Sequence, residues 1–264
     1  MAGKLFCRNL TASYDEKKIL NNVSIELSQG EFLCLCGLNG IGKSTLLSLL
    51  AGLPQPNLIV NDAEIYPSIV LDSTNDIIQV SKLSRKNCAK YISFMQQNEY
   101  SVWDFSVKDF ILQGRYPYTK NGIYSKNDYE VVDSVINELS LNELKERNIH
   151  SLSGGEMQKI KIARALAQQP MFIILDEPSA NLDIVFEPKL LQLLKDLTKK
   201  KNIGVLISIH DINITSEIAD KICLLNKDGL ISGKYDNIVN IENLKNTFGV
   251  DFECKEKKYF QLLQ

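Results

Sequence analysis

The run Phe32-Leu33-Cys34-Leu35-Cys36 passes directly into Gly37-Leu38-Asn39-Gly40-Ile41-Gly42-Lys43-Ser44, and this junction leaves the chain few folds to adopt. The short apolar run reads as a buried strand. Lys43 to Leu50 carries a helical pattern that ends near Gly52-Leu53-Pro54. Between strand and helix, the Gly-x-x-x-x-Gly-Lys-Ser spacing is that of a phosphate-binding loop in its required context. The glycines let backbone N–H groups wrap phosphates, and the helix start adds about half a positive charge beside them. Lys43 supplies a full charge to β- and γ-phosphates, and Ser44 offers a hydroxyl to Mg2+. Gly37, Asn39, Gly40, Gly42, Lys43, Ser44 and Thr45 are therefore the expected phosphate-binding residues of an α/β nucleotide-binding protein.

The 264 residues suffice for one sizeable core or for two lobes around a shared site. A hydrophobic fraction of 44% with 23% charged residues is ordinary for a globular protein. The formal net charge of −2 provides no global field to recruit nucleic acid. Six cysteines form no CxxC pair and are expected as free, buried thiols. The amino terminus lacks a signal-peptide pattern, and no run reaches the roughly 18 apolar residues needed to cross a bilayer. A membrane task would then require other chains.

Alternating residues at 4–10 and 22–27 predict antiparallel strands. Val60 to Val70 predicts strands, Ser81 to Lys90 a helix, and Tyr91 to Met95 a strand. Helices are expected at Val107–Gln113, Lys126–Leu139, Leu141–Glu146 and Gly154–Gln168. Phe172–Leu175 and Val205–Ile209 read as central parallel strands joined by an amphipathic helix, Lys189–Lys199. The expected organisation is one unit over 1–264. Its catalytic core is 1–95 and about 151–245, its helical lobe about 97–150, and its tail 246–264.

Phe172-Ile173-Ile174-Leu175 ends in Asp176-Glu177, two carboxylates where ligands of open α/β sheets collect. Asp176 would hold Mg2+, mostly through water, and Glu177 would act as general base on the attacking water. Leu152-Ser153-Gly154-Gly155-Glu156 opens a helix whose first N–H groups face an anion. Phosphate loop, acidic pair and this Ser-Gly-Gly turn, in this order, resemble the ATP-binding cassette (ABC) family over nearly the whole chain. The resemblance implies a P-loop NTPase cassette with an antiparallel β subdomain and an inserted α-helical subdomain. It also implies a second copy of the chain, with Ser153, Gly154, Gly155 and Glu156 acting on the partner's ATP.

Other matches to the family are single residues. Gln96 resembles the glutamine that touches Mg2+ and the attacking water, Asp183 the acid of a dimer-interface loop, and His210 the histidine contacting the γ-phosphate. Tyr14 resembles the aromatic residue that stacks on adenine. His150 receives no role. Gln113-Gly114-Arg115-Tyr116-Pro117-Tyr118 resembles a stretch of ATPases serving importers of iron–siderophore complexes, haem and cobalamin, as does the ending Asn246 to Asp251. The resemblance implies an integral-membrane permease, a substrate-binding protein acting indirectly, and a peripheral place on the cytoplasmic face of the bacterial inner membrane. Another importer or exporter, for example of zinc or manganese, is the alternative. A soluble cassette acting on DNA or ribosomes is disfavoured, because those relatives carry a long coiled coil or two cassettes. Residues 54–85 depart from the family pattern and read as an expanded or substituted hairpin.

Overall fold

Strand alternation along the chain feeds two hydrophobic cores at once. In the computed structural model, which describes residues 3–71, 76–97, 102–180, 186–255 and 259–262, strand β3 (Phe32–Cys36) is wholly buried. Phe32, Cys34 and Cys36 face one core, and Leu33 and Leu35 the other. Such two-sided burial explains why this strand reads as an unbroken apolar run.

The first layer is an antiparallel sheet. Strand β1 (Lys4–Tyr14) pairs with β2 (Lys17–Ser28) on one side. On its other side lie β4 (Leu58–Asp62) and β5 (Ile65–Val70), which occupy successive stretches of the long β1. Strand β6 (Ile77–Gln79) completes this sheet against β5. The divergent segment is thus no single hairpin: it supplies three strands, two of them end to end along β1. Its expected helix at Ser81–Lys90 shrinks to a 3-10 turn at Val80–Lys82 and α2 (Arg85–Cys88).

The second sheet has the order β11 (Gly229–Gly233), β10 (Lys221–Asn226), β3, β9 (Gly204–Ser208), β8 (Phe172–Leu175), β7 (Ile92–Met95). All but β11 run parallel. Helix α1 (Lys43–Leu50) follows the phosphate loop and packs beneath the antiparallel sheet. Helices α6 (Phe186–Lys201) and α7 (Ile212–Ile218) flank the other face. Beyond β11, α8 (Tyr235–Ile238) and α9 (Ile241–Phe248) lead to a hairpin of β12 (Phe252–Lys255) and β13 (Tyr259–Leu262). Among the cysteines, all free, Cys7, Cys34, Cys36, Cys88 and Cys223 are buried and Cys254 is exposed. No helix of the described residues is long and apolar enough to cross a membrane.

The lobe contains α3 (Val107–Leu112), a 3-10 helix at Gln113–Tyr118 and α4 (Lys126–Glu138). Helix α5 (Gly154–Ala167) packs against both α3 and α4, so the expected boundary near 151 does not divide the packing. One core runs from Val107, Phe110 and Val132 of the lobe to Ile173 and Ile207 of the sheet. The expected helix at Leu141–Glu146 is instead a series of turns. Its carbonyl acceptors serve a neighbour: Lys145 and Arg147 accept from the N–H groups of Lys108 and Val107, both at 2.9 Å. These are amides that the start of α3 cannot satisfy itself.

Arg115 joins the lobe to the end of α5. It is 2% exposed and donates to Asp128 Oδ1 at 3.0 Å, to the Ala167 carbonyl at 2.8 Å and to Gln169 Oε1 at 2.8 Å. Gly114 allows this approach, since a Cβ there would run into the Arg164 carbonyl. Within the segment that resembles the chelate-importer ATPases, Gly114 and Arg115 therefore do structural work, and Tyr116 is presented to solvent.

Burial alone would push the Asp128 carboxyl up. Hydrogen bonds from Ser125 and Arg115 outweigh it and hold the group below the usual carboxylate range. Its stabilising contribution is complete above the unfolded carboxylate range and is lost as pH falls through the depressed folded value. Arg115→Ala should cost about 3–5 kcal/mol in urea unfolding at neutral pH, because Asp128 is left buried and unpaired. The stability gap between wild type and variant should narrow on acidification.

Candidate active site

Four adjacent strands deliver the site from their carboxyl ends, although they are far apart in sequence. β3 leads to the phosphate loop, β9 to His210, β8 to Asp176 and Glu177, and β7 to Gln96 and Gln97. Met95 is the register partner of Leu175, and Leu175 of Ile207. Extending the first pairing by two residues sets Gln97 beside Glu177.

Glu177 is the point of convergence. Its Oε1 lies 2.6 Å from His210 Nε2 and 4.0 Å from Lys43 Nζ, and its Oε2 accepts from Gln97 Nε2 at 2.5 Å. The backbone at Glu177 has φ +48°, a left-handed conformation that costs a non-glycine residue on the order of 1–3 kcal/mol. The Glu177 N–H donates to Ser208 Oγ at 2.7 Å, and the same hydroxyl donates to Asp176 Oδ1 at 2.7 Å. Ser208 thus holds the acidic pair from β9. Sequence reasoning missed it, although a serine within the aliphatic run Val205 to Ile209 is a polar group that must find a buried partner.

Lys43 is 5% exposed and donates to the carbonyls of Gly37 at 2.9 Å and Leu38 at 3.1 Å. Burial pushes its ammonium pKa down, while Glu177 and Asp176 oppose that shift. Gly42 caps α1 at φ +114°, where a Cβ would sit 2.9 Å from the Ile19 side chain. A cavity of about 390 Å3 is lined by Tyr14, Asn39, Gly40, Ser44, Thr45 and Glu177, among others. Tyr14, on the wall of this cavity, donates its hydroxyl to Gln55 Oε1 at 3.3 Å outside the lining.

Gln96, the glutamine expected at the metal and water, is not in this cavity. It lines a second one with Ala51, Arg85, Cys88 and Phe94, while Gln97 takes the place beside Glu177. The reason is strand parity. Phe94 belongs to the lower core and Met95 to the lobe-side core, so Gln96 follows Phe94 and Gln97 follows Met95. Asp183 lies outside the described residues.

A metal finds two suitable oxygens, the Ser44 hydroxyl at the cavity and the buried Asp176 carboxylate. Among the described residues no three His, Cys, Asp or Glu side chains are grouped to hold an ion by themselves. This donor set suits Mg2+, which keeps waters and takes substrate phosphates beside one or two protein oxygens.

Ser153 caps α5 in a reciprocal capping box with Glu156. Gln158 Nε2 donates to the Pro178 carbonyl at 2.5 Å, tying this helix to the turn after Glu177. Ser153 itself is exposed and does not line the cavity beside Lys43. Gly154 has open space on its outer side.

Residues 20–180 match the family model described as ABC transporter. The chain is 31% identical over 262 residues to the petrobactin import ATP-binding protein FpuD of Bacillus anthracis, covering 98% of this chain and 92% of the relative. It is 34% identical over 257 residues to the molybdate import ATP-binding protein MolC of Haemophilus influenzae, covering 97% and 92%. A solved structure described as an inward-facing, metal-chelate type ABC transporter superimposes with a TM-score of 0.79 at 31% identity, covering 98% of this chain and 95% of that one.

The parity of β7 generates a direct comparison. Gln97→Ala should lower steady-state nucleotide hydrolysis roughly 10²-fold. Gln96→Ala should leave hydrolysis by the isolated protein near normal. A wild-type rate in the Gln97 variant would return the role to Gln96.

Proposed function

The chain belongs to the ABC transporter family, and from that membership we propose that it powers import of a metal chelate as a head-to-tail pair beneath a separate permease. It is an ATP-binding subunit whose hydrolysis is coupled to transport. Paired action is supported by one observation above the others. The cavity beside Lys43 gathers Gln97 and Glu177, with His210 bonded to Glu177, yet Ser153 and Gly154 lie outside it. A second copy in head-to-tail arrangement would bring that free helix start to the γ-phosphate.

In this reading Tyr14 stacks on the adenine and Lys43 binds the β- and γ-phosphates. Glu177 takes the proton of the attacking water, Gln97 orients that water, and His210 contacts the γ-phosphate. Ser44 and, through water, Asp176 would hold Mg2+, which neutralises phosphate charge when bound. Asp183 would lie at the interface between copies. The nucleic-acid reading finds no support in the acidic balance of the chain.

The permease would seat at the cavity where Gln96 meets Ala51, Leu53, Arg85 and Cys88. Tyr116, 57% exposed and 5.7 Å from the Lys86 ammonium, stands on the adjoining lobe. In this reading the subunit would sit at the cytoplasmic face of the membrane, with a substrate-binding protein acting through the permease. The petrobactin relative and the metal-chelate transporter support chelate cargo. The molybdate relative favours a second reading, import of an oxyanion. Uptake by vesicles carrying the chain with its neighbouring permease separates the two.

Glu177→Gln should slow hydrolysis about 10²–10⁴-fold while retaining ATP, giving a stable nucleotide-bound dimer on size exclusion. Normal hydrolysis would remove Glu177 as the base. Ser153→Arg should leave ATP binding to the monomer intact and block dimerisation; unimpaired turnover would sink the shared site.

A further inference from the structure

The turn that would receive the partner's phosphate already contains a negative charge. Glu156 Oε2 accepts from the Ser153 amide at 2.8 Å and from the Ser153 hydroxyl at 2.8 Å. The amide bond first, then the hydroxyl bond, and the charge of Arg147 hold the Glu156 carboxyl below its ordinary range. A carboxylate is therefore one hydrogen bond away from the group that faces an anion. Left alone, it would repel the phosphate.

Arg147 opposes it. Its Nη1 lies 3.7 Å from Glu156 Oε1, and its Nη2 donates to the Ser151 carbonyl at 2.7 Å. One guanidinium thus grips the chain on both sides of the Ser153 turn. Its backbone is anchored separately: the Arg147 carbonyl accepts from the Val107 N–H at 2.9 Å, at the start of α3. The seam continues where Ile149 N–H donates to the Phe105 carbonyl at 3.0 Å and Ser106 bridges to Asn148. Arg147 therefore stands between the first helix of the lobe and the turn that serves the partner.

We propose that Arg147 is a positioning residue of the intermolecular site, bracing the Ser153 turn and offsetting the Glu156 charge so that the partner's triphosphate is received. The inference rests on the shared-site reading above. Both contacts use the fixed fork of a guanidinium, which a lysine ammonium reaches only one at a time. The charge offset gains weight as closure of the pair excludes water.

The test uses the full chain with ATP. Arg147→Ala should lower kcat roughly tenfold, Arg147→Lys less, with binding of a fluorescent ATP analogue to the monomer unchanged. Mixing Arg147→Ala with Lys43→Ala should restore turnover above either variant alone, since the mixed pair contains one site with both residues intact. A protein damaged in its own fold or its own cavity would not complement in this way. Ser153→Ala, which removes the hydroxyl without filling the interface, mixed with Lys43→Ala is the control. If the control fails to complement, the shared site falls; if it succeeds and the Arg147 mixture does not, the Arg147 proposal is overturned. Glu156→Gln should recover part of the Arg147→Ala loss, and a strictly additive double variant would overturn the charge offset.

Discussion

The hydroxyl of Ser208 donates to Asp176 and accepts from the Glu177 amide, and through these two bonds β9 fixes the acidic end of β8. The arrangement resolves a physical difficulty. Two adjacent carboxylates at the end of a buried strand must point in different directions, and the backbone does this by entering the left-handed region at Glu177. That conformation persists only where surrounding bonds over-determine it. Ser208 supplies them from one side, while Gln97, His210 and Lys43 converge on the Glu177 carboxylate from the other. With Glu177 itself on β8, these groups arrive from β9, β7 and β3, so the site exists only when the parallel sheet is assembled.

The lobe is attached to this sheet by burial as well as by hydrogen bonds. A continuous apolar core crosses from α3 and α4 to β8 and β9. Arg115, fully enclosed, locks the Asp128 end of α4 to the last turn of α5. The other end of α5 carries Ser153. Helix α5 is thus held at its base by Arg115 and at its tip by Arg147, with Gln158 reaching the Glu177 turn between them.

Much of this was legible in the residues. The phosphate loop and α1 appeared where expected, because a Gly-rich turn between an apolar run and a helical pattern has few local alternatives. Buried strands β8 and β9 were legible from their unbroken apolar character. Other elements depended on partners that local pattern does not specify. Leu141–Glu146 has helical propensity, yet the carbonyl of Lys145, and that of Arg147 just beyond, are drawn to the amides of α3. Gly114 and Arg115 carried a family resemblance, and their burial against a neighbouring helix was set by tertiary packing. Residues 58–79 formed three strands because β1 is long enough to receive two of them in succession.

By itself the sequence determined which residue types meet the chemistry expected here: a lysine and glycines suited to phosphates, a carboxylate suited to a water, and a helix start suited to an anion. These follow from residue type and short spacing, which local geometry alone makes meaningful. Only the tertiary structure decided which glutamine stands beside Glu177. Adjacent residues leave a strand on opposite faces, so Gln96 and Gln97 are equivalent until β7 is set in register against β8. Pairing Met95 with Leu175 brings Gln97 to Glu177 and turns Gln96 toward the second cavity.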